Sequence, residues 1–117
     1  SSELSIVGTY NYIAYISSKG AIMAFTRAAA VELARDGIRV NAVCPAGTDT
    51  EFLRKDLVKS RFGNDYEAAK RDLSKSYPLG RIATPEDICG AVLFLASDEA
   101  SFMTGSYIML DGGFTIK

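Results

Sequence analysis

Two short apolar runs, the first stopped by Pro45 and the second closed by Asp111-Gly112-Gly113, stand far apart with helix signals between them. In the first, Ile38, Val40, Ala42 and Cys44 alternate with Arg39, Asn41 and Val43, which is the period of a strand. Tyr107 to Leu110 form the second, after a turn at Thr104-Gly105. Between them Thr84-Pro85-Glu86-Asp87 marks a helix start, with a threonine N-cap, proline at the first helical position and acids against the positive end of the dipole. Ile88, Ala91, Val92 and Leu95 supply its buried stripe, up to about Ser97. Strand, helix and strand in this order fit a right-handed βαβ crossover, and therefore an α/β fold with parallel strands.

Ahead of the first strand, residues 1–14 lack helical periodicity and read as a loop. From about Tyr15 to Arg35 the chain is alanine-rich, with Ile22, Phe25, Ala29 and Leu33 on one stripe and Met23, Ala30 and Ala34 beside it. Apolar breadth of this kind suggests burial against a sheet on one side and another subunit on the other, or one thick core. Asp36-Gly37 ends the helix, Gly37 being suited to a left-handed C-cap. Residues 51–79 carry dense mixed charge with sparse apolar anchors at Phe52, Leu53, Leu57, Phe62, Tyr66, Leu73 and Tyr77, as in a solvated pair of short helices inserted into the crossover. Thr50 caps the first of them, near Glu51.

Tyr15 and Lys19 are four residues apart, so a helix sets both on one face, where a fixed ammonium favours a phenolate. A free phenol titrates at about pH 10, so tyrosine works as a general acid/base near neutrality only beside a strong positive field. Ser2, thirteen positions before Tyr15, is placed to donate a hydrogen bond to the same substrate oxygen. Alone, Tyr-x-x-x-Lys is a weak signal that is often only solvated helix surface.

Composition narrows the chemistry. The 117 residues fit within one domain, and 48% hydrophobic content suffices for a core. A formal net charge of -1 argues against a nucleic-acid partner, and the sequence shows neither a bilayer-spanning apolar run nor a basic-then-apolar leader, so the expected compartment is the cytoplasm. With no histidine, Ser-His-Asp and Cys-His mechanisms are excluded and no metal site is expected. Cys44 and Cys89 have no metal-type spacing and read as reduced, buried small hydrophobes.

Further pieces stand in register with the tyrosine and lysine: Arg39-Val40-Asn41-Ala42-Val43-Cys44-Pro45, Thr48-x-Thr50, Gly80-Arg81, Pro85-Glu86-Asp87, Phe94-Leu95-Ala96-Ser97-Asp98, Thr104-Gly105 and Asp111-Gly112-Gly113. In this order the set resembles the C-terminal half of the short-chain dehydrogenase/reductases over nearly the whole chain. The resemblance implies a Rossmann-like doubly wound parallel sheet, of which residues 1–117 supply only the C-terminal part, with the catalytic helix, two parallel strands and a substrate flap over residues 51–79. It implies an NAD(P)-dependent oxidoreductase, with NAD or NADP as cofactor, that interconverts a secondary alcohol and a ketone. Ser2, Tyr15 and Lys19 would be its catalytic residues, with Tyr15 and Lys19 also at the cofactor.

In the family, the loop after the first strand closes over the nicotinamide: the resemblance puts Pro45 there, brings the backbone at Thr48 to the carboxamide, and gives Thr50 a hydrogen bond to the pyrophosphate. The family has Pro-Gly at this point and the chain has Pro45-Ala46-Gly47. A methyl group at Ala46 either crowds the nicotinamide face or is tolerated on a backbone of negative φ; toleration is expected. The family's glycine-rich phosphate motif is not in the sequence, so the dinucleotide-binding half is expected outside these residues. A homotetramer acting on a small alcohol or ketone is the expected assembly. A non-catalytic dinucleotide binder and an inactive fragment or assembly module are the competing readings.

Overall fold

In the computed structural model, which describes residues 1–58 and 63–117, the two apolar runs do meet side by side. β1 (Ala42–Pro45) pairs in parallel with β2 (Tyr107–Leu110), in the register Ala42 with Tyr107 through Pro45 with Leu110. Before them lies α1 (Ile13–Leu33), and the crossover between them carries α2 (Glu51–Val58), α3 (Tyr66–Ser74) and α4 (Pro85–Ala96). Short 3-10 turns occupy Glu3–Ser5, Ala34–Asp36, Asp98–Ala100 and Phe114–Ile116. The expected loop at the start therefore contains one turn of 3-10 helix, capped by Ser2.

Strand limits differ from the sequence expectation at both ends of the first run. Residues 38–41 stay outside the ladder because the turn at 103–106 holds them by other bonds: Val40 N–H donates to Thr104 Oγ1 at 3.1 Å, and the Asn41 side chain donates to the Met103 carbonyl and accepts from Ser106 N–H. Pro45 belongs to the strand rather than stopping it. Ala42 and Ala46 donate to the Ser106 and Leu110 carbonyls, so alternation turns Pro45 toward the opposite edge, where its missing N–H breaks no bond to β2. That same edge, at the Val43 carbonyl, accepts from the Ser1 nitrogen at 2.9 Å.

α1 begins two positions before the expected Tyr15, just after Asn11, a residue type that tolerates its φ of 67°. It ends as expected, with Gly37 left-handed at φ 73° and its N–H on the Ala34 carbonyl. The inward face is a correction: Met23, Thr26 and Ala30 are buried, whereas Ile22 and Phe25 of the expected stripe are exposed, Phe25 at 68%. A small side chain is required on the inward face at Ala30, where a Cβ on Gly105 would stand 3.4 Å from the alanine methyl; Ala42, Cys44 and Ala100 are further small buried residues. Cys44 is completely buried, but Cys89 on α4 is exposed, contrary to expectation. α4 starts at the expected Thr84 N-cap, which forms a capping box with Asp87, yet no residue of the helix is buried and Val92 is 47% exposed. It touches both strands, whose two-strand width is too narrow to cover a helix face.

Among the described residues of 51–79 the chain forms two helices, as its charge pattern indicates, with Tyr66, Ala69 and Tyr77 buried. Phe52 is exposed, and the Leu57 side chain and Phe62 lie outside the described residues. Tyr77 reaches the loop after β1, where its hydroxyl oxygen accepts from Gly47 N–H at 3.0 Å. A Cβ on Gly47 would stand 2.8 Å from that oxygen and 3.2 Å from a Leu73 methyl. Gly47→Ala is therefore expected to destabilise the protein by about 1–3 kcal/mol, measured by denaturant unfolding. An unchanged midpoint would show that Tyr77 moves aside without cost. Asn11 is the only described non-glycine residue with positive φ, so Ala46 has the ordinary backbone expected for toleration.

Candidate active site

The Ser1–Ser5 segment is held between strand and helix. Ser1 nitrogen is bonded to β1 at the Val43 carbonyl, Ser1 Oγ donates to the Lys19 carbonyl at 2.9 Å, and Ser5 Oγ touches Met23 Sδ at 2.6 Å. Ser2 thereby lies beside the C-terminal half of β1 and next to the turn of α1 that bears Lys19. It is 5% exposed, and its hydroxyl donates to Glu3 Oε2 at 2.9 Å while accepting Leu4 N–H at 3.2 Å.

Tyr15 and Lys19, one turn apart on α1, are both half-buried. The Lys19 ammonium sits 5.3 Å from the centroid of the Tyr15 ring, within cation–π range. Tyr12 packs against the same ring in a T-shaped arrangement, the centroids 6.0 Å apart and the planes at 81°. The phenol and the cation thus share one side of the helix, and the ring contacts both an ammonium and a second aromatic ring.

At the C-terminal end of β1, residues 47–49 are stitched to Ala83: Ala83 N–H donates to the Gly47 carbonyl at 2.9 Å and Asp49 N–H to the Ala83 carbonyl at 2.8 Å. This bridge leaves Thr48's own N–H and C=O turned to the opposite side. Thr48 Oγ1 donates to the Ala46 carbonyl at 3.0 Å. Thr50 Oγ1 donates to the Thr48 carbonyl at 3.2 Å and accepts Leu53 N–H at 3.4 Å, so the residue is the N-cap of α2 and is exposed.

Three groups escaped sequence reasoning. Asp49, between the two nominated threonines, accepts from the Tyr66 hydroxyl and the Lys70 ammonium, and these partners hold its carboxyl below the usual range, Lys70 first. Burial, then the bond to Asp49, push the Tyr66 phenol up to about 12, and Arg54 stacks 4.4 Å over that ring. This cluster ties the flap to the loop after β1. The other two are Tyr77 at Gly47 and Glu3 at Ser2. Nothing in the spacing of Glu3 signals that a charged side chain in a small-residue loop turns inward.

A separate hollow of about 520 Å³ is lined by Tyr77, Leu79, Arg81, Met109 and Asp111, among others. Ser2, Tyr15, Lys19, Pro45, Thr48 and Thr50 are not in its walls. Among the described residues there is no group of three or more metal-binding side chains, and no helix long and apolar enough to cross a membrane.

Comparison with known proteins gives this arrangement its relatives. A family profile described as enoyl-(acyl carrier protein) reductase matches residues 1–115. The 2-(S)-hydroxypropyl-CoM dehydrogenase 3 of Xanthobacter autotrophicus is 43% identical over 97% of this chain and 44% of its own length. The inactive 2-(S)-hydroxypropyl-CoM dehydrogenase 2 of the same organism is 41% identical over 97% of this chain and 48% of its own. A crystal structure of a short chain dehydrogenase family protein from Francisella tularensis superposes with a TM-score of 0.93 at 41% identity, over 99% of this chain and 49% of that one. The chain thus spans under half the length of each of these relatives, and the part it matches is their C-terminal half. With its parallel α/β sheet and this set of relatives, the chain belongs to the short-chain dehydrogenase/reductase family of Rossmann-like oxidoreductases.

Proposed function

We propose that residues 1–117 are the C-terminal portion of a single Rossmann-like domain in an NAD(P)-dependent oxidoreductase, which interconverts a secondary alcohol and a ketone by hydride transfer. The observation that carries this reading is the Lys19 ammonium 5.3 Å from the centroid of the half-buried Tyr15 ring. In the reductive direction Tyr15 gives its phenolic proton to the carbonyl oxygen, and in the oxidative direction its phenolate takes the hydroxyl proton. Lys19 places its positive charge beside the Tyr15 ring and would also hold the nicotinamide ribose. Ser2 donates to the same substrate oxygen and fixes it in line for the transfer.

A bound nicotinamide cofactor supplies or accepts the hydride. The end of β1 fits such a group: Thr48's backbone groups turn away from the Ala83 bridge and Thr50 is exposed, while Pro45 precedes them at the mouth of the strand. Ligands bind at the carboxyl ends of strands in open parallel sheets. The phosphate-cradling half of the domain is supplied by residues outside these 117. Helices α2 (Glu51–Val58) and α3 (Tyr66–Ser74) belong to the flap above a small alcohol or ketone. Exposed Ile22 and Phe25 on α1 support assembly with further copies, a homotetramer in the cytoplasm.

Fluorescence titration of the full-length polypeptide with NADH and NADPH, followed by turnover on a panel of secondary alcohols and ketones, tests this reading. Micromolar cofactor binding with turnover is expected. The relative named inactive, at 41% identity, favours a second reading, a non-catalytic dinucleotide binder. Cofactor binding without turnover of any alcohol or ketone selects that one. The isolated 117 residues, which hold no glycine-rich phosphate motif, are expected to bind neither cofactor tightly.

A further inference from the structure

Glu3 is a charged side chain placed where charge is costly. It is 7% exposed, and its Oε2 is the acceptor of the Ser2 hydroxyl at 2.9 Å. A serine has one proton to donate, so while the Ser2 proton lies on the Glu3 carboxylate it is not available to a substrate oxygen. The Ser2 oxygen also accepts Leu4 N–H, which leaves it one further lone pair.

We propose that Glu3 is a positioning residue that sets where Ser2 donates: as a carboxylate it captures the Ser2 proton, and as a carboxylic acid it donates its own proton to the Ser2 oxygen and frees the Ser2 hydroxyl for the substrate. The proposal rests on the role given to Ser2 above. With Glu3 protonated, the Ser2 oxygen accepts from Leu4 N–H and from Glu3 and donates to the substrate, which uses its whole hydrogen-bonding capacity.

The surroundings of Glu3 favour the acid form. Burial pushes the carboxyl up from its ordinary value, and the negative charge of Asp111 adds to this; bonds from Ser2 and from the Glu3 and Leu4 backbone N–H groups oppose it. Around it, Tyr77 and Asp111 are acids that interact with it from the loop after α3 and from the end of β2. The Cys44 thiol of β1 and Lys19 of α1 act on the neighbouring Ser1 nitrogen. The Ser2-dependent part of carbonyl reduction therefore falls as pH rises through the titration of Glu3.

Two measurements on the full-length polypeptide test this. Side-chain carboxyl NMR of protein carrying ¹³C-glutamate gives the Glu3 midpoint, and Ser2→Ala is expected to change the Glu3 shift at both ends of that titration, because Ser2 is bonded to the acid and to the carboxylate alike; limiting shifts that Ser2→Ala leaves unchanged overturn the proposal. With cofactor and whichever ketone of a panel is reduced fastest, kcat/KM of the wild type is expected to fall above that midpoint, by up to about tenfold per pH unit, and to level off at the value of Ser2→Ala. Glu3→Gln, whose amide offers a donor to the Ser2 oxygen at every pH, is expected to remove that fall. A Glu3→Gln profile that superimposes on the wild type overturns the proposal. Tyr15→Phe separates the two failures: an active variant defeats the proposed function itself, whereas an inactive one beside an unaltered Glu3→Gln profile defeats only the role of Glu3.

Discussion

Replacing Tyr15 by phenylalanine is expected to lower kcat of the full-length enzyme by roughly 10²–10⁴-fold, the range for loss of a positioned general acid/base. The change removes one hydroxyl. The ring keeps its edge contact with Tyr12 at 6.0 Å and its face toward the Lys19 ammonium at 5.3 Å, so the local packing has little to lose. The unfolding midpoint is accordingly expected to stay close to wild type, which sets this variant apart from one that merely misfolds. Steady-state turnover beside a denaturant curve makes the comparison. A phenylalanine variant that turns over at the wild-type rate would contradict the assignment of Tyr15 as the proton donor.

Asp111→Asn is expected to cost about 3 kcal/mol of stability, since hydrogen bonds to a charged acceptor contribute about 1.5–3 kcal/mol each and an unpaired buried donor is penalised. Asp111 is 8% exposed; one oxygen accepts Gly113 N–H at 3.1 Å and the other accepts both Thr115 N–H at 2.9 Å and Thr115 Oγ1 at 2.5 Å. An amide nitrogen on either side would face a donor. Burial works to raise this carboxyl, but the bonds from Thr115 and Gly113 outweigh it and hold the group below the ordinary value. Its stabilisation is therefore complete above the unfolded-state pKa, about 3.9, and is lost as pH falls through the lower folded-state value. Glu3 has the opposite sign: its raised carboxyl stabilises the fold at low pH, and that contribution is lost as pH rises through the folded-state value. Urea unfolding across the acid range should show Asp111→Asn converging on wild type toward low pH. A constant difference down to pH 2 would mean that the carboxylate charge is irrelevant to its role.

Much of the frame was legible because it depends on local chemistry. Thr84-Pro85-Glu86-Asp87 forms the N-terminus of α4 with its capping box, Gly37 takes the left-handed C-cap, and Tyr107–Leu110 is a strand over the residues expected. Tyr15 and Lys19 share a side because four residues make about one helical turn. The pairing of the strands followed from their separation by helices. The strand at 38–44 was read too early and ended too soon, since alternation in sequence does not reveal that the turn at 103–106 captures residues 40 and 41, or which edge Pro45 faces. Likewise, α1 has apolar residues on several faces, and composition gave no reason to prefer Met23, Thr26 and Ala30 over Ile22 and Phe25.

The order of residues is therefore enough for the set of elements, their succession and the family, along with a phenol and an ammonium on one helical turn. Side chains distant in sequence find their partners, and short ones their direction, on folding: Tyr77 against Gly47, Asp49 holding Tyr66 and Lys70, and Glu3 turned inward onto the Ser2 hydroxyl. Caps, turns and helical spacing are fixed by bonds within a few residues, so they can be read along the chain. The burial of a carboxylate or the reach of a tyrosine depends on how separate segments close on one another, and only the folded chain brings those segments together.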